Sequence, residues 1–154
     1  MKQGKIVVVM GGPSSEAEVS RRTGAAIVSA LESKGYAVEG MELDPPYFAE
    51  AIRKSDCAIV FNALHGRYGE DGVLQGTLDM LGIPYTGSGV LAAAVTMDKV
   101  MSKRVFLGAG ISTPRSETFH RFEFDRELPS RIRKAFSLPV VIMASSQGSS
   151  IGVA

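Results

Sequence analysis

The segment that decides the fold is KIVVVMGGPSSE, residues 5–16. Its valine-rich beginning, residues 5–10, is typical of a strand that is buried on both faces of a parallel sheet. Two glycines end this strand, and Ser15 followed by Glu18 matches the capping box found at the start of a helix. A strand, a glycine turn and a helix together predict the opening of a βαβ unit.

Strands and helices continue to alternate through the first half of the chain. Such alternation favours an open, mostly parallel α/β sheet with helices on both faces. In sheets of this kind ligands bind outside the carboxyl ends of the strands, so the loops that begin at Gly11 and at His65 are expected to be neighbours. The elements predicted after the first strand are a helix that ends at Lys34, strands over 36–43 and 57–64, helices over 47–54 and 73–81, and an extended piece at 83–85.

The pattern changes near residue 88 and predicts a domain boundary there. We expect an amino-terminal α/β domain over residues 1–87 and the incomplete beginning of a second domain over residues 88–154. The second domain is expected to be incomplete because its predicted strand is followed by no partner strand, which leaves backbone groups unsatisfied. Its predicted elements are one or two helices over 90–107, a charged helix over 126–136, a strand over 138–143 and a small-residue loop over 145–152.

Composition excludes several classes of function. The 154 residues contain 17 Lys and Arg against 16 Asp and Glu, so no overall charge favours nucleic acid or an anionic membrane surface. The single cysteine, Cys57, excludes an internal disulfide and a metal cluster built from cysteines. The sequence shows no signal-peptide core and no nonpolar run of membrane-spanning length, so we expect a soluble, cytoplasmic protein.

Two side chains at the expected ligand edge carry chemistry. Glu16 lies near the start of the first helix, where it either complements the helix dipole or holds the ammonium group of a ligand. The Gly11-Gly12 turn before it is a candidate anion site, although Pro13 and a missing third glycine argue against a dinucleotide-binding fingerprint. His65 follows a strand in a glycine-rich loop, so it either meets a ligand or bonds a nearby backbone carbonyl.

Three other polar features have both structural and functional interpretations. Glu70 and Asp71 form either a paired-carboxylate metal site or the cap of the next helix, and the cap is favoured. Lys99 and Lys103 lie at helical spacing, which by itself is typical of a solvated basic face. The loop 145–152, rich in serine and glycine, is either a flexible linker or a flap over phosphate groups.

Three blocks of the sequence carry a family resemblance. They are GGPSSEAEVS (11–20), NALHGRYGEDGVLQGTLDMLGIPYTGSGVLAAAVTMDKVMSK (62–103) and LPVVIMASSQGSSIGV (138–153). Together they resemble the D-alanine–D-alanine ligases of the ATP-grasp superfamily, and the central block is highly specific. The resemblance implies a Rossmann-like, pre-ATP-grasp domain followed by the truncated start of an ATP-grasp domain, which is the amino-terminal portion of a ligase.

The resemblance also implies an activity, the ATP-dependent ligation of two D-alanines to D-alanyl-D-alanine through an acyl phosphate. The dipeptide would serve peptidoglycan precursor synthesis. In this family pattern Glu16 would orient the ammonium group of the first D-alanine, and His65 would lie near its carboxylate. Members of the family commonly form homodimers through the amino-terminal region, so a homodimer is expected.

The nucleotide side of the site is implied by the later blocks. Lys99 would contact the phosphates of ATP, and Gly148, Ser149 and Ser150 would form a flap over them. Ser149 would also join a hydrogen-bond network that reaches Glu16, which makes Glu16 and Ser149 the expected catalytic residues.

Two departures from the family pattern limit what this chain is expected to do. Met143 and Ala144 stand where family members generally have a Lys-Pro pair, whose lysine contacts ATP phosphate. The lid of the active site, an oxyanion-stabilising Arg and the Mg²⁺ ligands would all lie beyond residue 154, so the isolated residues are expected to be inactive. The alternatives are a fragment of a D-alanine:D-lactate ligase, or a non-catalytic module that binds a D-alanine-like ligand or dimerises.

Overall fold

A computed structural model of the chain describes residues 4–148 and 153–154. It divides into two compact units, Met1–Met97 and Asp98–Ala154. The strands of the first unit are β1 (Ile6–Met10), β2 (Val38–Glu42) and β3 (Ile59–Asn62), and its helices are α1 (Ala17–Glu32), α2 (Phe48–Lys54), α3 (Val73–Leu81) and α4 (Val90–Met97). The second unit contains α5 (Lys99–Gly108), a 3₁₀ turn (Arg121–Glu123) and α6 (Leu128–Ala135).

The sheet of the first unit is parallel, with β1 at its centre in the order β2-β1-β3. Ile6 is paired with Val38 on one side and with Ile59 on the other. A further isolated parallel bridge joins Val60 to Tyr85, which extends the sheet beyond β3. This architecture confirms the predicted α/β class with a parallel sheet.

The core of the first unit forms around the central strand. The three valines of β1 are completely buried, as expected for a strand covered on both faces. On one face α1 comes close to the sheet, because a Cβ on Gly24 would lie only 2.6 Å from the Cβ of Met10. The core cluster consists of Val7, Val9, Leu43, Phe48, Ile52, Val60, Leu64, Leu74 and Leu78.

The start of α1 differs from the predicted capping box. The helix begins at Ala17, and its N-cap residue is Glu16, whose side chain makes no capping hydrogen bond. Instead the Ser14 hydroxyl accepts the Glu16 N–H at 3.2 Å. The prediction of a Ser15–Glu18 box is therefore wrong, because the serine one position earlier bonds the backbone and leaves the Glu16 carboxylate uncommitted to the cap.

In the second unit the predicted helical region after residue 98 is α5, which has a side-chain cap of its own. The Asp98 carboxylate accepts the N–H groups of Val100 at 2.9 Å and Met101 at 3.0 Å. This cap explains why the helical stretch expected over 90–107 is two helices rather than one. No residue of α5 or α6 is buried.

The strand predicted over residues 138–143 is not formed, so that prediction is wrong. Within the described residues, this segment has no regular secondary structure. Ile142 exchanges a single pair of backbone hydrogen bonds with Ala154, at 2.8 and 2.9 Å. A nonpolar run becomes a strand only when a neighbour pairs along its length, and the described residues show this one pair.

The boundary between the two units falls later in the chain than residue 88. The two units divide between Met97 and Asp98, and α4, whose Ala93 is 4% exposed, belongs to the first of them. The domain boundary near residue 88 stays a proposal based on composition.

No helix in the part of the chain that the structure describes is long and nonpolar enough to cross a membrane.

Candidate active site

The glycine turn after β1 is held by side chains of the protein itself. Gly11 and Gly12 have φ values of +73° and +81°, a backbone conformation that glycine adopts without strain. The Gly11 N–H donates to the Ser20 hydroxyl at 2.8 Å, and the Gly12 N–H donates to a Glu42 carboxylate oxygen at 3.1 Å. Both donors are therefore already occupied, and the turn does not offer them to an anion as the sequence had suggested.

Glu42 is fixed by an arginine on α1. Arg21 donates from Nε to both carboxylate oxygens, at 3.1 and 3.2 Å, and from a terminal nitrogen to one of them at 2.7 Å. These hydrogen bonds, together with that from Gly12, lower the pKa of the Glu42 carboxyl below its ordinary value, although burial opposes the shift. A stable carboxylate thus closes the glycine turn from the β2 side.

Ser20 joins three elements from inside the core. Its side chain is fully buried, accepts the Gly11 N–H and donates to the Ala63 carbonyl at 2.8 Å. The hydroxyl therefore connects the end of β1, the first turn of α1 and the segment after β3. Because His65 follows Ala63 by two residues, Ser20 sets the position of the His65 segment relative to the glycine turn.

Glu16 and His65 are brought together at the carboxyl end of the sheet. The Ser14 hydroxyl, which accepts the Glu16 N–H, donates to the His65 carbonyl at 3.0 Å. A Glu16 carboxylate oxygen lies 2.6 Å from the position that a Cβ on Gly66 would occupy. The expectation that the two loops are neighbours is confirmed, since one hydroxyl bonds the backbone of both. Gly66, with φ +67°, leaves the room that this carboxylate needs.

The His65 ring is also contacted from α1. Thr23 Oγ1 lies 3.3 Å from His65 Nε2, in a partly buried position. The ring therefore has a partner on α1, the helix that Glu16 precedes, and the His65 backbone is held separately by Ser14.

The loop that follows His65 is built on carboxylate-to-backbone hydrogen bonds. Asp71 accepts the N–H of Val73, the first residue of α3, at 3.1 Å and that of Tyr68 at 2.9 Å. Glu70 folds back and accepts the Gly66 N–H at 2.9 Å. The N-cap residue of α3 is Gly72, so neither carboxylate occupies the predicted cap position. Asp71, one residue earlier, still bonds the first N–H of the helix, whereas the Glu70 carboxylate stabilises the loop.

Two amide side chains donate hydrogen bonds to the backbone of the same loop. Asn62 Nδ2 and Gln75 Nε2 both donate to the Gly69 carbonyl, at 2.8 and 2.7 Å. Gln75 is 3% exposed, and its Oε1 has no hydrogen-bond partner among the described residues. These contacts leave the backbone of the His65 loop little freedom relative to β3 and α3.

Sequence reasoning missed the residues that position Glu16 and His65. Three of them act through contacts that span 42 to 51 residues, which no local pattern displays, whereas the two amides bond a carbonyl 6 or 7 residues away. One signal was available, because Ser20 and Gln75 are polar residues on the buried faces of otherwise amphipathic helices. The missed residues are Ser14, Ser20, Thr23, Asn62 and Gln75.

In the second unit the structure brings Lys99 to the small-residue loop. The Lys99 ammonium donates to the Gln147 carbonyl at 2.6 Å, and its backbone N–H donates to the Ser145 carbonyl at 2.9 Å. Lys99 is therefore not simply part of a solvated face, and it lies beside the segment that contains Gly148. The predicted flap residues Ser149 and Ser150 lie outside the described residues.

Lys103 lies on the same helix as Lys99, but its side chain has a different partner. Its ammonium donates to the Pro114 carbonyl at 2.6 Å.

Met143, at the position where the family pattern has lysine, is 47% exposed. Residues 4–148 and 153–154 contain no group of three or more His, Cys, Asp or Glu side chains arranged to hold a metal ion.

Comparison with known proteins identifies relatives over nearly the whole chain. The family model described as the D-ala D-ala ligase N-terminus matches residues 40–88. A D-alanine–D-alanine ligase from Moorella thermoacetica is 49% identical over 96% of this chain and 48% of its own length. One from Carboxydothermus hydrogenoformans is 46% identical over 97% of this chain and 48% of its own length.

Solved structures lead to the same group. A D-alanine–D-alanine ligase from Bacillus anthracis has a TM-score of 0.82 at 38% identity, covering 98% of this chain and 48% of its own. A structure of the ligase from that organism complexed with ATP has a TM-score of 0.77 at 33% identity, covering 97% of this chain and 50% of its own. The chain thus spans about half the length of the relatives it matches. The chain belongs to the D-alanine–D-alanine ligase family, of which it represents the amino-terminal portion.

Proposed function

We propose that this chain provides the first D-alanine site, and part of the ATP site, of an ATP-dependent D-alanine–D-alanine ligase. The observation that carries the proposal is the placement of Glu16 beside the His65-Gly66 backbone, with the Ser14 hydroxyl bonded to both segments. The relatives named D-alanine–D-alanine ligase support it at 46% and 49% identity.

The two side chains suit the two charged ends of a free amino acid. The Glu16 carboxylate provides a negative charge for an ammonium group, and charge-assisted hydrogen bonds of this kind are the stronger ones. The His65 ring provides a nitrogen donor for a carboxylate in a partly buried setting. A ligand held at both ends presents its carboxylate in one orientation, which is the positioning that the reaction requires.

In the proposed reaction the carboxylate of the first D-alanine attacks the γ-phosphorus of ATP, and ADP leaves. The resulting acyl phosphate is attacked at its carbonyl carbon by the amine of the second D-alanine, which loses a proton. Phosphate then leaves with the electrons of the carbon–oxygen bond, and the peptide bond remains. Phosphorylation is needed because a carboxylate oxygen is a poor leaving group. The protein contributes positioning and charge stabilisation.

Lys99 is the proposed phosphate contact of this half of the ligase. Its ammonium lies at the Gln147 carbonyl, which places a cation next to the small-residue loop 145–152. Gly148, with Ser149 and Ser150, is proposed to cover the phosphates through backbone N–H and hydroxyl groups. Ser149 is proposed to reach the network of Glu16. The structure of the Bacillus anthracis ligase with ATP supports the use of that nucleotide.

Magnesium does not fit the residues that the structure describes. Its usual ligands are carboxylate oxygens and phosphate oxygens, and no suitable cluster exists in the described part of the chain. The proposal therefore assigns the Mg²⁺ ligands to residues beyond 154, and it expects the isolated chain to make no dipeptide.

The second substrate is chosen elsewhere in the enzyme. A D-Ala:D-Ser ligase from Enterococcus faecalis has a TM-score of 0.74 at 26% identity, covering 99% of this chain, so one amino-terminal fold serves ligases with different second substrates. The proposal commits to D-alanine as the first substrate and, from the names of the sequence relatives, as the second. The product would enter peptidoglycan precursor synthesis in the cytoplasm.

D-alanine binding to the chain tests the proposed substrate site. We expect Glu16→Gln to weaken D-alanine binding about ten- to a hundredfold, the value of a hydrogen bond to a charged group. The matched control is Glu18→Gln, which removes the same charge from an exposed carboxylate two residues later on α1. Isothermal titration with D-alanine and L-alanine makes the measurement. Equal affinity of the Glu16→Gln and Glu18→Gln variants, or no preference for D-alanine, would contradict the proposal.

A further inference from the structure

The threonine beside His65 differs in its hydrogen bonding from other helical threonines of the chain. Thr77 donates to the Val73 carbonyl at 3.0 Å, and Thr96 donates to the Ala92 carbonyl at 2.7 Å, one turn earlier on their helices. Thr23, on α1, makes no such bond within the described residues. Its hydroxyl has one hydrogen-bond partner there, His65 Nε2 at 3.3 Å.

The direction of this hydrogen bond decides which nitrogen of the ring carries the proton, and a separation of 3.3 Å fits either direction. A hydroxyl group is both a donor and an acceptor, whereas a neutral imidazole has one N–H and one lone pair. When the Thr23 hydroxyl uses its own hydrogen toward Nε2, the ring accepts with the Nε2 lone pair. The proton of the neutral ring then resides on Nδ1, which is the reverse of the tautomer that a solvated imidazole favours.

The other nitrogen faces no competing group. In residues 4–148 and 153–154 His65 Nδ1 has no hydrogen-bond partner, and the backbone of the residue is fixed by the bond from Ser14 to its carbonyl. A ring held at Nε2 and at its backbone has its Nδ1–H available to a ligand. An N–H donates to an anion, whereas the lone pair of the opposite tautomer repels one.

We propose that Thr23 is a positioning residue that holds neutral His65 as its Nδ1–H tautomer, so that the ring donates a hydrogen bond to an anionic group of the substrate. The identification of that group as the carboxylate of D-alanine rests on the proposed function. The test of the tautomer does not, because it concerns only the direction of the hydrogen bond between Thr23 and His65. A neutral donor binds the carboxylate without placing a second full charge beside Glu16.

Nitrogen-15 NMR of the imidazole rings tests the tautomer directly. The sequence has two histidines, His65 and His120, so a His120→Gln variant assigns the spectrum. At about pH 8, where imidazole side chains are ordinarily neutral, we expect the Nδ1 of His65 to have the chemical shift of a protonated nitrogen. In Thr23→Val, which keeps the shape and removes the hydroxyl, the proton is expected to move predominantly to Nε2.

Two variants separate this effect from a general structural one. Thr23→Ser keeps the hydroxyl and is expected to retain the Nδ1–H tautomer. Thr77→Val removes a helical hydroxyl elsewhere and is expected to leave the His65 ring unchanged. Nε2–H in the original chain, or an unchanged ring in Thr23→Val with intact backbone spectra, would overturn the proposal.

Titration with D-alanine then distinguishes this proposal from the proposed function. We expect Thr23→Val to weaken D-alanine binding about two- to tenfold, the value of one net hydrogen bond, and Thr23→Ser to restore it. If the tautomer changes as expected but no variant binds D-alanine, the proposed function is wrong and the role of Thr23 stands. If D-alanine binds and the tautomer is indifferent to Thr23, the role of Thr23 is wrong.

Discussion

Ser20 is a buried hydroxyl that connects β1, α1 and the segment leading to His65, and its replacement by alanine probes the architecture around the site. The hydroxyl accepts the Gly11 N–H and donates to the Ala63 carbonyl, both at 2.8 Å and both in buried positions. Ser20→Ala leaves a buried donor and a buried acceptor without a partner, and each costs about 1–3 kcal/mol. Small shifts of the Gly11 N–H and the Ala63 carbonyl recover part of this cost. We therefore expect a loss of about 2–4 kcal/mol in the free energy of unfolding.

The measurement is urea unfolding of the chain, followed by the signal of its tyrosines and by circular dichroism. The matched control is Ser29→Ala, which makes the same change at an exposed position of the same helix. We expect the control to stay within about 0.5 kcal/mol of the original chain, as surface substitutions usually do. A Ser20→Ala variant as stable as Ser29→Ala would refute the reasoning, because it would show that the Ser20 hydroxyl does not hold the three elements together.

Two further predictions concern acid stability and self-association. The pKa of the Glu42 carboxyl is lowered by Arg21, so its contribution to stability is fully present above the ordinary glutamate pKa and is lost as the pH falls through the lower folded-state value. Urea midpoints measured across the acid range should therefore fall more for the original chain than for Glu42→Gln, and parallel curves would contradict this. We also propose that the chain forms a homodimer through its first unit, where Met80 is 91% and Leu91 78% exposed. Sedimentation velocity should show a dimer whose fraction rises with concentration. A monomer at all concentrations would contradict this proposal.

The parts of the fold that local sequence patterns encode were predicted well. β1 is a valine-rich run bounded by glycines, and both its type and its burial on two faces were predicted because adjacent residues alone determine them. Asp98 shows the same principle at a helix start, since its carboxylate bonds N–H groups two and three residues later. That cap was not predicted, but its signal lies within four residues of sequence.

The features that were not predicted depend on distant partners. The run over 138–143 has the composition of a strand, yet among the described residues the backbone pairing of this run is that of Ile142 with Ala154, and composition does not show whether a neighbouring strand exists. Ser14 donates to the carbonyl of His65, 51 residues away, and accepts the Glu16 N–H at the helix start. The pairing of Thr23 with His65 likewise spans 42 residues, and only the folded sheet brings the two together.

The proposed role of Glu16 in a ligase is tested most directly by dipeptide synthesis in a chimaera that joins this chain to the carboxyl-terminal half of the Moorella thermoacetica relative. The chimaera should be made in two forms, with Met143 and with Met143→Lys, because an uncharged thioether does not replace an ammonium group on a triphosphate. We expect the Met143→Lys form to show a kcat/KM for ATP about ten- to a hundredfold higher, the value of one hydrogen bond to a charged group. D-alanyl-D-alanine and phosphate should appear in equal amounts with D-alanine and not with L-alanine, and Glu16→Gln should reduce the rate at least about tenfold while Glu18→Gln does not. Absence of dipeptide from both forms, or dipeptide synthesis that is indifferent to Glu16, would contradict the assignment of this chain as the first D-alanine site.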